Sequence, residues 1–200
     1  MTYNSEKCQI TIFTSKYLNK LIATRMRGGH MDKAELAKLI RTTSFLTGQF
    51  KLRSGTISPF YFDKYRFETN PVLLSAIVDE LEELLPKSFD KLAGLELGGI
   101  PLATGLSLKT GKNCLYVRKT RKAYGTCNIV EGGFNSGETA VVIEDVITTA
   151  GQTCTSVEQM RESGLTVRHV VCVVDRQQGG KENLESIGCS LASVFTLDEL

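Results

Sequence analysis

From Met31 onward the apolar positions of this chain alternate between two rhythms, one of helical period and one of extended runs. The segment Asp32-Lys-Ala-Glu-Leu-Ala-Lys-Leu-Ile-Arg-Thr-Thr carries its apolar residues at helical spacing and predicts an amphipathic helix. A loop or hairpin is expected over 50–64. A helix then opens at Asn70-Pro71 and runs to about Leu85, since proline is tolerated in a first helical turn. A strand near 91–95, a glycine-rich turn, a helix over 101–109 and a strand over 113–117 follow. A basic loop and a short hairpin are expected over 118–139. A β-branched strand then stops at an acidic pair, and a helix over 151–163 ends at Gly164. A strand over 167–174 and an extended stretch over 189–195 close the chain. Strands alternating with helices predict a parallel sheet covered on both faces, with ligands beyond the carboxyl ends of its strands.

The most informative segment lies at one of those ends. Val141, Val142 and Ile143 lead into Glu144 and Asp145, then Val146, Ile147, Thr148, Thr149, Ala150, Gly151 and Gln152. Carboxylates at a strand end can accept hydrogen bonds from sugar hydroxyls. The small loop and the helix N-terminus behind it can bind a phosphate dianion through backbone N–H groups. Taken singly, an acidic pair is often a solvated turn and Thr-Thr an ordinary cap. No Gly-Lys-Ser/Thr phosphate loop and no G-x-G-x-x-G element competes with this segment.

Composition narrows the field. The 200 residues suit one domain, with 42% hydrophobic and 23% charged residues, as in a soluble globular protein. A net charge of +2 gives no overall pull toward nucleic acid or membrane. Six cysteines without C-x-x-C spacing and only two histidines argue against a zinc site or a histidine-based triad. The cysteines read as small buried hydrophobes in a reducing compartment, and a cytoplasmic location is expected. Residues 1–30 differ in pattern from the rest and are read as an N-terminal extension, disordered or upstream of the true start; a targeting leader is the alternative. The functional domain is taken as 31–200.

Four other segments carry chemistry. Leu95-Glu96-Leu97-Gly98-Gly99-Ile100-Pro101 is either a simple turn or a second anion loop. Val117-Arg118-Lys119-Thr120-Arg121-Lys122-Ala123-Tyr124-Gly125 places four cations in five residues, suiting a solvated face or a loop that folds over a polyanion. Leu52-Arg53-Ser54-Gly55-Thr56-Ile57-Ser58-Pro59-Phe60-Tyr61-Phe62-Asp63 offers a flat aromatic surface, or a hairpin with Phe60 and Phe62 in the core and Tyr61 on the other side. Asp175-Arg176 ends a buried strand and is either a surface ion pair or a guanidinium for a planar carboxylate.

Together, the Ser-Gly-x-x-Ser-Pro segment, the Gly-Gly turn, the Arg-Lys-x-x-Lys-x-Tyr-Gly loop, Ile-Glu-Asp-Val-Ile-Thr-Thr-Ala-Gly and Asp-Arg resemble, in chain order, the motifs of the type I phosphoribosyltransferases. The basic loop and the Ser-Gly-x-x-Ser-Pro segment resemble those of the orotate phosphoribosyltransferases. Departures are Tyr124 for the usual histidine, Ala150 for a frequent glycine, Leu97-Gly98 for a Tyr-Lys pair found in some relatives, and Arg53 for lysine.

The resemblance implies an α/β fold, with a central mostly parallel sheet flanked by helices, a small N-terminal hood and a flexible basic loop. It implies transfer of ribose 5-phosphate from phosphoribosyl pyrophosphate (PRPP) to orotate, giving orotidine 5′-monophosphate and pyrophosphate in UMP synthesis. Lys122, Arg118, Lys119 and Asp145 are the implied catalytic residues. Tyr124, Glu144, Val146, Ile147, Thr148, Thr149, Ala150, Gly151 and Gln152 join them in PRPP binding. Arg53, Tyr61, Phe62, Thr148 and Arg176 are the implied orotate contacts. Mg²⁺ is expected mainly through PRPP and water, with no dedicated protein metal site. A homodimer sharing the basic loop across subunits is also implied, with no nucleic-acid or membrane partner. A transferase for another base and a non-catalytic PRPP-sensing regulator remain alternatives at this point.

Overall fold

The computed structural model describes residues 31–51, 55–121 and 128–200. The expected extension over 1–30 lies outside them.

Helix α1 (Lys33–Ser44) buries Leu36, Ala37, Ile40 and Ser44, the stripe that its sequence period requires. It runs directly into β1 (Phe45–Lys51), which pairs antiparallel with β2 (Ile57–Phe62). The hairpin therefore begins earlier than expected and forms its own two-stranded sheet. The short helix α2 (Tyr65–Glu68) follows. Helix α3 (Pro71–Glu83) starts as expected, with Asn70 Oδ1 accepting from the Val72 and Leu73 amides at 3.0 and 3.2 Å.

Strand β3 (Lys91–Leu95), helix α4 (Gly99–Thr110) and strands β4 (Cys114–Val117) and β5 (Val130–Glu131) come next. Among the described residues of 118–139, where a short hairpin was expected, β5 pairs antiparallel with β4. Strand β6 (Thr139–Ile147), helix α5 (Gly151–Glu162), strand β7 (Thr166–Asp175), helix α6 (Gly180–Ser186) and strand β8 (Ser190–Thr196) complete the order, with a 3-10 turn over Leu197–Glu199.

The main sheet runs β5-β4-β3-β6-β7-β8, parallel except for β5. Its inner strands are apolar on both faces, as a sheet covered twice demands. Val141, Ile143, Val171 and Val173 pack with α1, α3 and α4, whereas Val142, Val170 and Cys172 pack with α5 and α6. From β3 the chain proceeds outward to β4, then returns to the other side of β3 as β6. The loops after β3 and β6 consequently diverge at a topological switch point, where an open α/β sheet forms a crevice.

Candidate active site at the strand ends

Strand β6 does not stop at the acidic pair. Its pairing with β7 continues through Val146↔Val174 and Ile147↔Asp175, so Glu144 and Asp145 sit within the ladder. Asp145 is fully buried, while Glu144 is half-buried. Asp145 Oδ1 accepts the Val146 amide at 2.5 Å, and Oδ2 faces the Lys64 ammonium at 2.5 Å. Glu144 Oε2 accepts the Asp145 amide at 3.3 Å.

The loop after β3 presses on this pair. The Glu96–Leu97 peptide is cis. A Cβ on Gly98 would overlap the Asp145 carboxylate and come within 2.8 Å of Glu68 Oε1, while one on Gly99 would overlap the Ile143 carbonyl. Glycine is required here for close approach of two backbones. The same loop holds the start of the basic segment, because Glu96 Oε2 accepts the Lys119 amide at 2.9 Å.

The cluster of carboxylates shifts its own ionisation. Burial, followed by the hydrogen bond and charge of Asp145, pushes Glu68 from 4.5 up to about 9. Burial, followed by the Asp145 charge, pushes Glu144 from 4.5 up to about 8. For Lys64, burial pulls downward, but the charge and hydrogen bond of Asp145 and the charge of Glu144 outweigh it, and the ammonium is held more tightly than usual.

Beyond Ile147, Thr148 is half-buried and Thr149 exposed, and Ala150 takes the left-handed conformation at φ 58°, ψ 13°. Ala150 thus adopts the geometry that a frequent glycine would supply at this position. Its carbonyl accepts the Cys154 amide at 2.8 Å, beginning α5. That helix has no side-chain cap and no acidic residue in its first turn. The amides of Gly151, Gln152 and Thr153 precede the first helical hydrogen bond, and the helix dipole adds to their attraction for an anion. Asn183 Nδ2 donates to the Thr149 carbonyl at 2.9 Å and ties the loop to α6.

Arg118 and Lys119 stand at the carboxyl end of β4, with Arg118 half-buried and 3.9 Å from Glu131 Oε1. Lys122 and Tyr124 lie outside the described residues, as does Arg53. Arg176 leaves β7 with its amide bonded to the Ile147 carbonyl at 2.9 Å, and its buried Nε has no hydrogen-bond partner among the described residues. Asp175 Oδ1 instead accepts the Gln177 amide at 2.9 Å. The pair therefore ends the strand with a turn bond, and Arg176 Nε is left without an acceptor among the described residues.

The hairpin divides its aromatics differently from expectation. Phe62 is half-buried, its ring 5.0 Å from Phe45 and 6.1 Å from Phe67. Phe60 is 57% exposed and is not a core residue, since the hairpin forms its own two-stranded sheet apart from the main one. Tyr61 stacks on Phe50 at 5.5 Å. The structure thus brings Glu144, Asp145, the loop over 148–152 and Arg176 to adjoining strand ends, and links the hairpin to them through Lys64. The Gly98-Gly99 turn was expected and serves here for close packing against the acidic pair, whereas Lys64, Glu68 and Asn183 are site-shaping residues that local sequence patterns missed. The short Asp63-Lys64 sequence after the aromatic segment was the available hint for the first of them.

The chain is similar to curated proteins and to solved structures, although no family model matches it. The orotate phosphoribosyltransferase of Methanocella arvoryzae is 45% identical over 170 residues, covering 85% of this chain and 97% of that protein. Mycobacterium tuberculosis orotate phosphoribosyltransferase, in complex with Fe(III) dicitrate, superposes with a TM-score of 0.77 at 32% identity, covering 84% of this chain and 98% of the other. In its complex with 5-phospho-α-D-ribosyl 1-diphosphate the TM-score is 0.72 at 30% identity, with the same coverage.

Proposed function

The chain belongs to the orotate phosphoribosyltransferase family, and we propose that it transfers ribose 5-phosphate from PRPP to orotate through the residues gathered at its strand ends. Orotidine 5′-monophosphate and pyrophosphate are the products, as pyrimidine nucleotide synthesis requires. The observation that carries this reading is the conjunction, on one crevice, of an acidic strand end, an uncapped helix N-terminus and an arginine with a free buried Nε.

The loop over 148–152 and the first amides of α5 take the 5′-phosphate, with Thr148 and Thr149 supplying hydroxyls. At the acidic pair, Glu144, the more accessible carboxyl, meets the ribose hydroxyls, with the buried Asp145 behind it. Arg118, Lys119 and Lys122 neutralise the pyrophosphate as the C1–O bond lengthens, and Tyr124 donates one further hydrogen bond. Arg176 grips the orotate carboxylate through its guanidinium fork. Tyr61, Phe62, Arg53 and Thr148 border the base. A ring nitrogen of orotate attacks an oxocarbenium-like centre, so the chain need not supply a covalent nucleophile. Its contribution is orientation, charge stabilisation and exclusion of water.

Among the described residues no group of three or more His, Cys, Asp or Glu side chains could hold a metal ion. Asp145 is engaged with Lys64 and the Val146 amide, and the proposal has Mg²⁺ carried mainly by PRPP oxygens and water. When bound there, Mg²⁺ supplies charge neutralisation for the diphosphate. The proposal extends to a homodimer in which the basic loop serves the neighbouring site, and to a cytoplasmic location. No described helix is long and apolar enough to cross a membrane.

The test is orotate consumption followed by ultraviolet absorbance, with PRPP and Mg²⁺ each present and withheld. Turnover should require both and fall at least about a hundredfold in Lys122→Ala and Arg176→Ala, the scale expected for a lost transition-state charge partner. Saturable PRPP binding without orotate turnover would overturn the assignment. For the shared loop, mixed dimers of Lys122→Ala with Glu144→Ala should regain activity that neither parent shows.

A further inference from the structure

Helix α2 and Lys64, the residue before it, bring two side chains to the acidic pair from far away in sequence. Lys64 Nζ lies 2.5 Å from Asp145 Oδ2. Glu68 is 5% exposed, and its Oε1 crowds the same small space above Gly98 as that Asp145 oxygen. Beyond the Lys64 ammonium and one another, neither Asp145 Oδ2 nor Glu68 Oε1 has a hydrogen-bond partner among the described residues. Two buried carboxyl oxygens turned toward one another, each an acceptor when ionised, require a proton between them.

We propose that Lys64 and Glu68 are positioning residues for the acidic pair: the Lys64 ammonium and a protonated Glu68 together lock the Asp145 carboxylate beneath Gly98. The inference rests on the reading of the acidic pair as the ribose-hydroxyl site. One cation, one carboxylate and one neutral acid make a unit of zero net charge. That is the arrangement which a dry pocket tolerates best. The upward shift of Glu68 agrees with it, since the group then keeps its proton in neutral solution. With both Asp145 oxygens engaged, Glu144 is the more accessible end of the pair. The order of the pieces is also meaningful. Lys64 follows Phe62 by two residues, so the aromatic hairpin and the sugar site are joined by one ion pair.

The experiment compares Lys64→Ala, Lys64→Arg, Glu68→Ala and Glu68→Gln with the wild type, each checked for folding by circular dichroism. Loss of a charge-assisted contact to Asp145 should raise the KM for PRPP about tenfold or more in Lys64→Ala, with a smaller change in kcat. Lys64→Arg should recover part of that loss. Glu68→Gln, which keeps a donor in place of the acid proton, should recover most of what Glu68→Ala loses. The wild-type minus Glu68→Gln difference infrared spectrum at pH 7 should show a positive protonated-carboxyl band.

Unchanged KM for PRPP in both alanine variants would overturn the inference, as would equal losses in Glu68→Gln and Glu68→Ala without the carboxyl band. If Lys64→Ala does not fold, Lys64→Arg and the two Glu68 variants decide in the same way. A wild type that consumes no orotate removes the orotate reading by itself. The positioning role then stands or falls on the infrared band and on PRPP affinity by calorimetry, where equal affinity in Lys64→Ala and wild type refutes it.

Discussion

The loops that follow β3 and β6 leave neighbouring parallel strands at the same end of the sheet, yet they solve opposite problems. The loop after β3 is spent on packing: Gly98 and Gly99 lie against Asp145 and the Ile143 backbone, leaving no room for a methyl group. The loop after β6 is kept free of such contacts on its helix-forming side, and α5 begins without a capping side chain. One loop shapes the acidic pair from behind, and the other leaves its donors open in front. A switch point thus supplies position, but the use of each loop is decided by whether its backbone groups are already occupied.

That contrast can be broken most severely at Gly98. Gly98→Ala drives a Cβ into the Asp145 carboxylate and toward Glu68. We expect it to lower stability by about 1–3 kcal/mol, the range for forced overpacking, and to reduce orotate turnover at least tenfold. Denaturant titration and steady-state kinetics check both; near-wild-type values would show that the two loops are not in obligatory contact.

A medium effect is expected from pH. The native state holds the Glu68 proton up to about 9, whereas an unfolded glutamate near 4.5 releases it earlier. The contribution of this group is therefore complete below 4.5, declines as pH rises through the window, and is lost above about 9. Lys64, Asp145 and Glu144 are the charged groups facing it. Glu68→Gln has no proton to lose, so it should flatten the decline, with the largest gain over wild type at the alkaline end. Unfolding curves measured across that range would disprove this if the two proteins ran parallel.

The smallest effect belongs to the open loop. Ala150 is held at φ 58°, where a β-carbon is unfavourable. Ala150→Gly should raise stability by up to about 1 kcal/mol while leaving the helix start in place. A thermal melt that moves downward would show that the left-handed turn is not a source of strain.

Much of this arrangement was legible because it is written in local pattern. The double-faced apolar alternation of Val141, Val142 and Ile143, the Asn70-Pro71 helix start and the Thr-Thr loop all express their structure within a few residues. Helix α6 was missed because Lys181-Glu-Asn-Leu-Glu offers only Leu184 as a buried anchor. The early start of β1 was missed because Gly48 and polar neighbours interrupt its alternation between Phe45 and Phe50. Lys64 and Glu68 were invisible for a different reason. Each looks like an ordinary surface charge until the fold carries Asp145 to it, and no spacing rule reaches across that separation.

The central place of β6 has a consequence for how the chain is made. Both of its neighbours, β3 and β7, join it in parallel, so each pairing waits for an intervening crossover to be laid down. A nascent chain that has completed β6 but not β7 carries the acidic pair on an unfinished edge, flanked by Val-Val-Ile with one ladder of amides and carbonyls open. Such an edge is a template for pairing with another copy. The strand that presents the chemistry is thus also the segment whose shielding depends on timely synthesis of β7, and chains ending before Thr166 should partition to aggregates.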